Sequence, residues 1–257
     1  MVVHLTTNAS FLTGTQTFQR AVYLIHAPGP LLPVIEWAFI FAPLLFHAIL
    51  GVWIAKTGQN NTDRYRLTSN RRYWLQRVTG MIALVFLFFH ILHLHGWFHA
   101  DFWLHTVQAM GFGSFRPYNA GSTLAAAMNG WIWPAFYLVG VLSCVYHLAN
   151  GLWTSGITWG LWISPAGQAR ASKVCVAFGV VLAVIGTTAW YAAVAPSADD
   201  VAEMRQIEDR MYDAALEAGL VPDMPEKRSA AETHSVGESL HAADLDGPKR
   251  DKVSTKR

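Results

Sequence analysis

The sequence predicts an all-α integral membrane protein, a helical bundle with four complete transmembrane helices. Three observations carry that prediction. Of 257 residues, 53% are hydrophobic and only 14% charged, with mean hydropathy +0.26, whereas an average soluble domain is about a quarter charged. Four stretches are each apolar over the roughly 20 residues that a helix needs to cross a hydrocarbon core of about 30 Å. Residues 117–169 contain no Asp, Glu, Lys or Arg.

The charges that remain divide the chain in two. Residues 1–196 hold three acids (Glu36, Asp63, Asp101) and ten bases, net +7, while residues 197–257 hold fourteen acids and nine bases, net −5. The expected organisation is a transmembrane domain over 1–196 and a polar, acidic tail over 197–257. The overall pI near 8.6 averages two unlike parts and does not point to nucleic acid. Cys144 and Cys175 both lie in apolar runs, which excludes a disulfide framework and reads as small packing residues. The N-terminus lacks the basic n-region and long apolar h-region of a cleavable signal peptide.

The four spans run roughly over 34–55, 75–97, 131–153 and 173–195. Backbone amides in lipid must bond within their own segment, so each is a helix. Tyr73, Trp74, Trp97, Trp131, Trp133, Trp153, Trp190 and Tyr191 stand near the span ends, as interfacial aromatic belts do. Pro134 falls in a first turn, where a missing N–H is harmless, while Pro43 lies inside its helix and is expected to kink it. Lys and Arg crowd the segments 56–77 and 154–173, eight in all, against Arg20 and Arg116 on the opposite side. Those basic loops are therefore expected in the cytoplasm and the acidic tail outside. The tail itself reads as one short helix over about 199–218, then a polar stretch expected to be disordered, with His234 and His241 as solvated bystanders.

Ionisable residues inside a span default to a functional hypothesis. His47, His90 and His147 sit in three different spans. At 1.5 Å per residue, His47 is about 12 Å and His147 about 9 Å from the cytoplasmic edge, while His90 is about 10 Å from the outer edge. Two imidazoles level with one another on different helices suit bis-histidine ligation of a haem between helices. The alternative is that each bonds a backbone carbonyl or a Ser/Thr hydroxyl on another helix. His90 needs a partner at outer depth, and His4 would supply one if residues 1–8 end a helix arriving from the cytoplasm. His93 shares a helix face with His90, so spacing alone leaves open which is the ligand. His93, His95, His99 and His105 could also suggest zinc, although no regular ligand motif accompanies them.

The residues around these histidines resemble a known family. Ala42-Pro43-Leu44-Leu45-Phe46-His47-Ala48-Ile49-Leu50-Gly51-Val52-Trp53, then Leu75-Gln76-Arg77-Val78-Thr79-Gly80 leading to His90, then Phe136 to Ser143 leading to His147-Leu148-Ala149-Asn150-Gly151-Leu152-Trp153, are similar to the di-haem cytochrome b558 subunit of bacterial succinate dehydrogenase/fumarate reductase. The resemblance covers about residues 1–195 and leaves out the tail. It implies a five-helix anchor in the bacterial cytoplasmic membrane that holds two haem b and binds quinone, menaquinone being the usual partner of di-haem members. Flavoprotein and iron–sulfur subunits on the cytoplasmic side would oxidise succinate and deliver electrons, so no dicarboxylate chemistry falls to this chain. Carried over, His47 and His147 ligate a proximal haem, and His4 and His90 a distal one. The depth estimate gives the same pairing.

Only three residues precede His4, whereas the family's first helix begins roughly 25 residues before its ligand. His4-Leu5-Thr6-Thr7-Asn8 therefore reads as the outer end of a truncated first helix, with an in-frame apolar stretch expected upstream. Glu36 is the one carboxylate within a span, eleven residues or about 16 Å outward of His47. It is either an interfacial residue facing headgroups or a proton acceptor for quinone, whose two-electron chemistry also moves two protons. Arg71, Arg72 and Arg77 could pair with haem propionates, dock the iron–sulfur subunit, or simply set topology. Two other classes share the apolar spans and intramembrane histidines. The cytochrome b subunit of a membrane hydrogenase or formate dehydrogenase would place its histidines differently. A haem-free, His-lined transporter would show inverted repeats or broken helices, and the sequence has neither.

Overall fold

A computed structural model describes residues 1–59, 62–65, 67–98, 101–224 and 227–229. Among these every regular element is helical: α1 (Val2–Ala9), α2 (Thr15–His26), α3 (Gly29–Thr57), α4 (Thr68–His95), α5 (Asp101–Ala109), α6 (Ala120–Ala127), α7 (Ile132–Thr158), α8 (Pro165–Val194) and α9 (Ala198–Glu217). Helices α3, α4, α7 and α8 are long and apolar enough to cross a membrane, and they match the four expected spans to within one or two residues at the ends where those spans run over. Of the stretch expected to be disordered beyond the tail helix, residues 225, 226 and 230–257, with His234 and His241, lie outside the described residues, as do Arg66 and His99.

Small residues allow the spans to pack. With no hydrophobic drive between helices in lipid, close backbone approach and dispersion hold them together. A Cβ on Gly140 of α7 would overlap the ring of Phe86 on α4, and one on Gly179 of α8 would come within 2.9 Å of Ala149 on α7. Helix α1 lies along α8, where Leu5 is buried with Val145 and Leu182. Helix α4 stops at Gly96, which takes the left-handed conformation (φ 78°) that glycine adopts without strain. This stop falls just short of the expected Trp97.

Helix α3 stands apart from this core. No residue of its apolar window is buried. It widens into a π turn over Trp37–Phe41 just before Pro43, a device that absorbs the hydrogen bond proline cannot make. Its far end is tied to α4 by Arg77, whose guanidinium donates to the carbonyls of Ile54 (3.0 Å) and Ala55 (2.8 Å).

The end of the bundle that carries His4 and His90 is closed by α2, α6 and α9. Helix α9 starts in a capping box in which the Ser197 hydroxyl accepts from Asp200 N–H and the Asp200 carboxylate accepts from Ser197 N–H. Its buried face, Glu208, Tyr212 and Ala215, packs on α2 and α6. Glu208 is fully buried and accepts from Gly121 N–H (2.6 Å), Ser122 N–H (3.2 Å) and the Ser122 hydroxyl (2.5 Å) at the start of α6. Burial pushes this carboxyl above its ordinary range, against the pull of those donors. Asp209 accepts from Asn119 and from Arg228, and Tyr212 lies against Tyr118 with ring centroids 5.0 Å apart.

Candidate redox centre

Two pairs of histidine rings meet, each from two different helices; His147 and His90 are half-buried, while His47, on the detached α3, is exposed. His47 on α3 meets His147 on α7, with ring centroids 6.0 Å apart and planes at 79°. His4 on α1 meets His90 on α4, at 5.9 Å and 83°. Metal–imidazole bonds of about 2.0–2.1 Å, added to the reach from each ring nitrogen to its ring centre, put two imidazoles on opposite sides of one ion about 6 Å apart. Both pairs have that spacing. Along α4 the pairs are separated by the ten residues from Gly80, which touches the His147 ring, to His90, about 15 Å at helical rise.

The surroundings of His147 explain its orientation. A Cβ on Gly80 would come within 2.8 Å of the ring, so the absent side chain is what admits the imidazole. Nδ1 of His147 lies 3.0 Å from the carbonyl oxygen of Gln76, a carbonyl that accepts when Nδ1 carries the proton and leaves Nε2 as the nitrogen with a free lone pair. The Gln76 amide donates to the His147 carbonyl (3.1 Å), and its oxygen accepts from Asn150 (2.7 Å). Arg72 completes the cluster. It donates to Asn150 (2.7 Å) and to the Ser172 hydroxyl (2.8 Å), and it lies over the Trp153 ring at 3.7 Å.

Arg72 and Arg77 are committed to groups of this chain, Arg72 bridging α4, α7 and α8 and Arg77 holding the end of α3. Nothing in the sequence separated them from charges that merely set topology. Gln76 and Asn150 belong to the same buttress of His147, a role that hydropathy does not mark. Their spacing does carry a signal, since Arg72, Gln76 and Gly80 recur every four residues on one face of α4.

The ambiguity between His90 and His93 is resolved in placement. His90 faces His4, and its buried Nδ1 has no hydrogen-bond partner among the described residues. His93 is buried elsewhere, stacked on Trp133 at 3.7 Å with planes 10° apart, its Nδ1 3.1 Å from the Tyr137 hydroxyl. The same Tyr137 ring packs against His90 at 5.5 Å. Among the described residues no three His, Cys, Asp or Glu side chains converge as a metal-binding group. Glu36 is half-buried, at the last residue before the π turn of α3.

The donor set, paired neutral-capable imidazoles held between helices in an apolar setting, suits a haem iron rather than a hard cation. No model of a protein family matches the chain. Among curated proteins it is similar to the succinate dehydrogenase cytochrome b558 subunit of Bacillus subtilis (strain 168), 33% identical over 193 residues, which cover 75% of this chain and 87% of that protein.

Proposed function

The chain belongs to the family of succinate dehydrogenase cytochrome b558 subunits, and on that premise we propose that it anchors the enzyme in the membrane and passes electrons from an iron–sulfur partner to quinone. In this reading His47 and His147 hold one haem b, and His4 and His90 hold a second. The observation that carries it is the pair of His–His contacts at 6.0 and 5.9 Å, a spacing at which both imidazoles of a pair could hold one iron. Haem b, when bound, supplies one-electron transfer at iron.

The chain's own residues do the positioning. The Gln76 backbone carbonyl accepts from His147 when Nδ1 carries the proton, and the Arg72–Asn150–Gln76 side-chain cluster ties α4 to α7 beside the ring. Partners fixed in this way commonly change metal affinity by about 10–100-fold. Tyr137 and Phe86 pack against the His90 ring and keep water from it. The basic loops next to the His47–His147 pair lie on the cytoplasmic side under the positive-inside rule, where the flavoprotein and iron–sulfur subunits would dock. The His4–His90 end and α9 then face outward. The quinone is menaquinone, following the habit of di-haem members of the family.

The test is a reduced-minus-oxidised spectrum with pyridine-haemochrome quantitation on the detergent-solubilised protein. Two b haems per chain are expected. His147→Ala and His90→Ala should each leave one, with different residual potentials. One haem in the parent protein removes one pair from the assignment, and none in folded protein removes both.

Glu36 extends the reading to quinone chemistry as its proton-accepting group. Glu36→Gln is expected to lower quinone turnover by at least about a hundredfold, the lower end of the range of about 10²–10⁴ for a lost general base, while both haem spectra stay as they were. Unchanged turnover would remove Glu36 from the mechanism.

A further inference from the structure

A second site lies beside the His4–His90 pair, and no step of electron transfer uses it. A cleft of about 510 Å³ opens between the α5–α6 connection, α7 and α9, with His93, Arg116, Thr123, Asn129, Trp133 and Arg205 among its walls. Its volume falls in the range of about 300–1,000 Å³ typical of small-molecule sites. Two guanidinium groups line it, and no Asp or Glu does.

Neither arginine has an anionic partner. No carboxylate of the described residues is within ion-pair distance of Arg116 or Arg205, while Arg228 has Asp209 at 2.8 Å. Arg116 spends one nitrogen on the carbonyls of Gly113 (2.8 Å) and Phe115 (3.0 Å). Its guanidinium is partly desolvated, and burial lowers its pKa. The Nε of Arg205 is buried and has no acceptor among the described residues. Withdrawing a cation from water without a counter-charge is costly, so the cleft as built favours an incoming oxyanion, which guanidinium groups bind through paired, charge-assisted hydrogen bonds.

The level of the cleft indicates where that oxyanion comes from. Trp133 is the second residue of α7, beside the exposed Trp131, and such aromatic residues mark the membrane–water boundary. Ala126, Ala127 and the stacked His93–Trp133 pair supply an apolar wall. We propose that this cleft binds the phosphate headgroup of a membrane phospholipid, with Arg116 and Arg205 on the phosphate and the glycerol side against Trp133. The placement at a membrane boundary rests on the transmembrane reading above. The same oxyanion chemistry could be met by free phosphate or by a haem carboxylate, and the experiment separates these sources.

The complex is purified in dodecyl maltoside and its thermal unfolding followed with added dioleoylphosphatidylglycerol, dioleoylglycerol, or inorganic phosphate at matched ionic strength. Haem content and both midpoint potentials are measured on the same samples. Phosphatidylglycerol is expected to raise Tm by about 3–6 °C, as a ligand at a large excess over its Kd does, and the other two additives to leave it unchanged. Arg205→Gln, which breaks no hydrogen bond among the described residues, should at least halve that rise, and Arg116→Gln combined with it should abolish it, with two haems retained. An equal rise with inorganic phosphate would overturn the lipid assignment. So would variants that shift a haem potential without changing the lipid response, which would identify the anion as a haem carboxylate. A lipid response undiminished in the double variant, or absent from the parent protein, would overturn the site itself.

Discussion

Gly80→Val is expected to remove one of the two proposed haems, the one assigned to His47 and His147, while leaving the one assigned to His4 and His90. The Cβ alone would come within 2.8 Å of the His147 ring, and the two methyl groups of valine add to that overlap. The ring has little freedom to retreat, because its Nδ1 is fixed at 3.0 Å from the Gln76 carbonyl. Overpacking of this kind typically costs about 1–3 kcal/mol, and a ligand displaced by more than about 0.5 Å no longer supports its centre. The sign of Gly80→Ala separates the steric account from a helix-propensity account. In a helix interior Gly→Ala favours folding by about 0.8–1 kcal/mol, so propensity alone would make this variant more stable with full haem. The close contact predicts reduced haem occupancy instead. Pyridine-haemochrome analysis of both variants decides it: about one haem per chain in Gly80→Val supports the contact, and two would reject it.

The fold was legible where hydropathy dominates. Four spans, their aromatic borders and the helix near residue 199 follow from composition and period. Helix α2 was missed although its buried residues, Thr15, Phe18, Gln19 and Val22, fall at the i, i+3, i+4, i+7 spacing of an amphipathic helix. Two of those four are polar, and the stripe is hidden to a reading that looks for apolar residues. Gln19 is buried because its amide serves the backbone, donating to the Pro117 carbonyl (2.7 Å) and accepting from Ala120 N–H (2.9 Å). Helices α5 and α6 are nine and eight residues long, too short to show a period.

The histidine pairs were legible for a different reason. Depth along a helix is fixed by residue count, so His47 and His147 could be set level before any contact was known. Rotation about the helix axis is not fixed in that way. Spacing could not choose between His90 and His93, which differ by about 60° of rotation at 3.6 residues per turn. The choice lies in packing, where Trp133 and Tyr137 take His93. The roles of Arg72 and Arg77 were hidden for a related reason, since neither the partners on α7 and α8 nor the end of α3 is near them in sequence.

Glu208→Leu is expected to detach α9 and to lower stability by about 2–4 kcal/mol. The carboxylate accepts from two backbone N–H groups and one hydroxyl in a fully buried setting, and each buried donor left without an acceptor costs about 1–3 kcal/mol. Leucine fills the volume but accepts nothing, so the loss reports polar satisfaction rather than a cavity. Glu208→Gln keeps an acceptor oxygen and should lose less than half as much. The two variants also separate in their pH dependence. Burial, the larger cause, holds the Glu208 carboxyl above its ordinary range. Its contribution is therefore fully present below the ordinary carboxylate pKa and is lost as pH rises through the raised value, as the folded state is then required to bury a charge. Thermal unfolding from pH 4 to 8 should show a downward slope in the parent protein that is shallower in Glu208→Gln. Limited proteolysis after residue 197 should accelerate in Glu208→Leu and not in Glu208→Gln. Equal slopes would mean that the donors of α6, not burial, set the charge state of Glu208, and unchanged proteolysis in Glu208→Leu would mean that Tyr212 and Asp209 hold α9 without it.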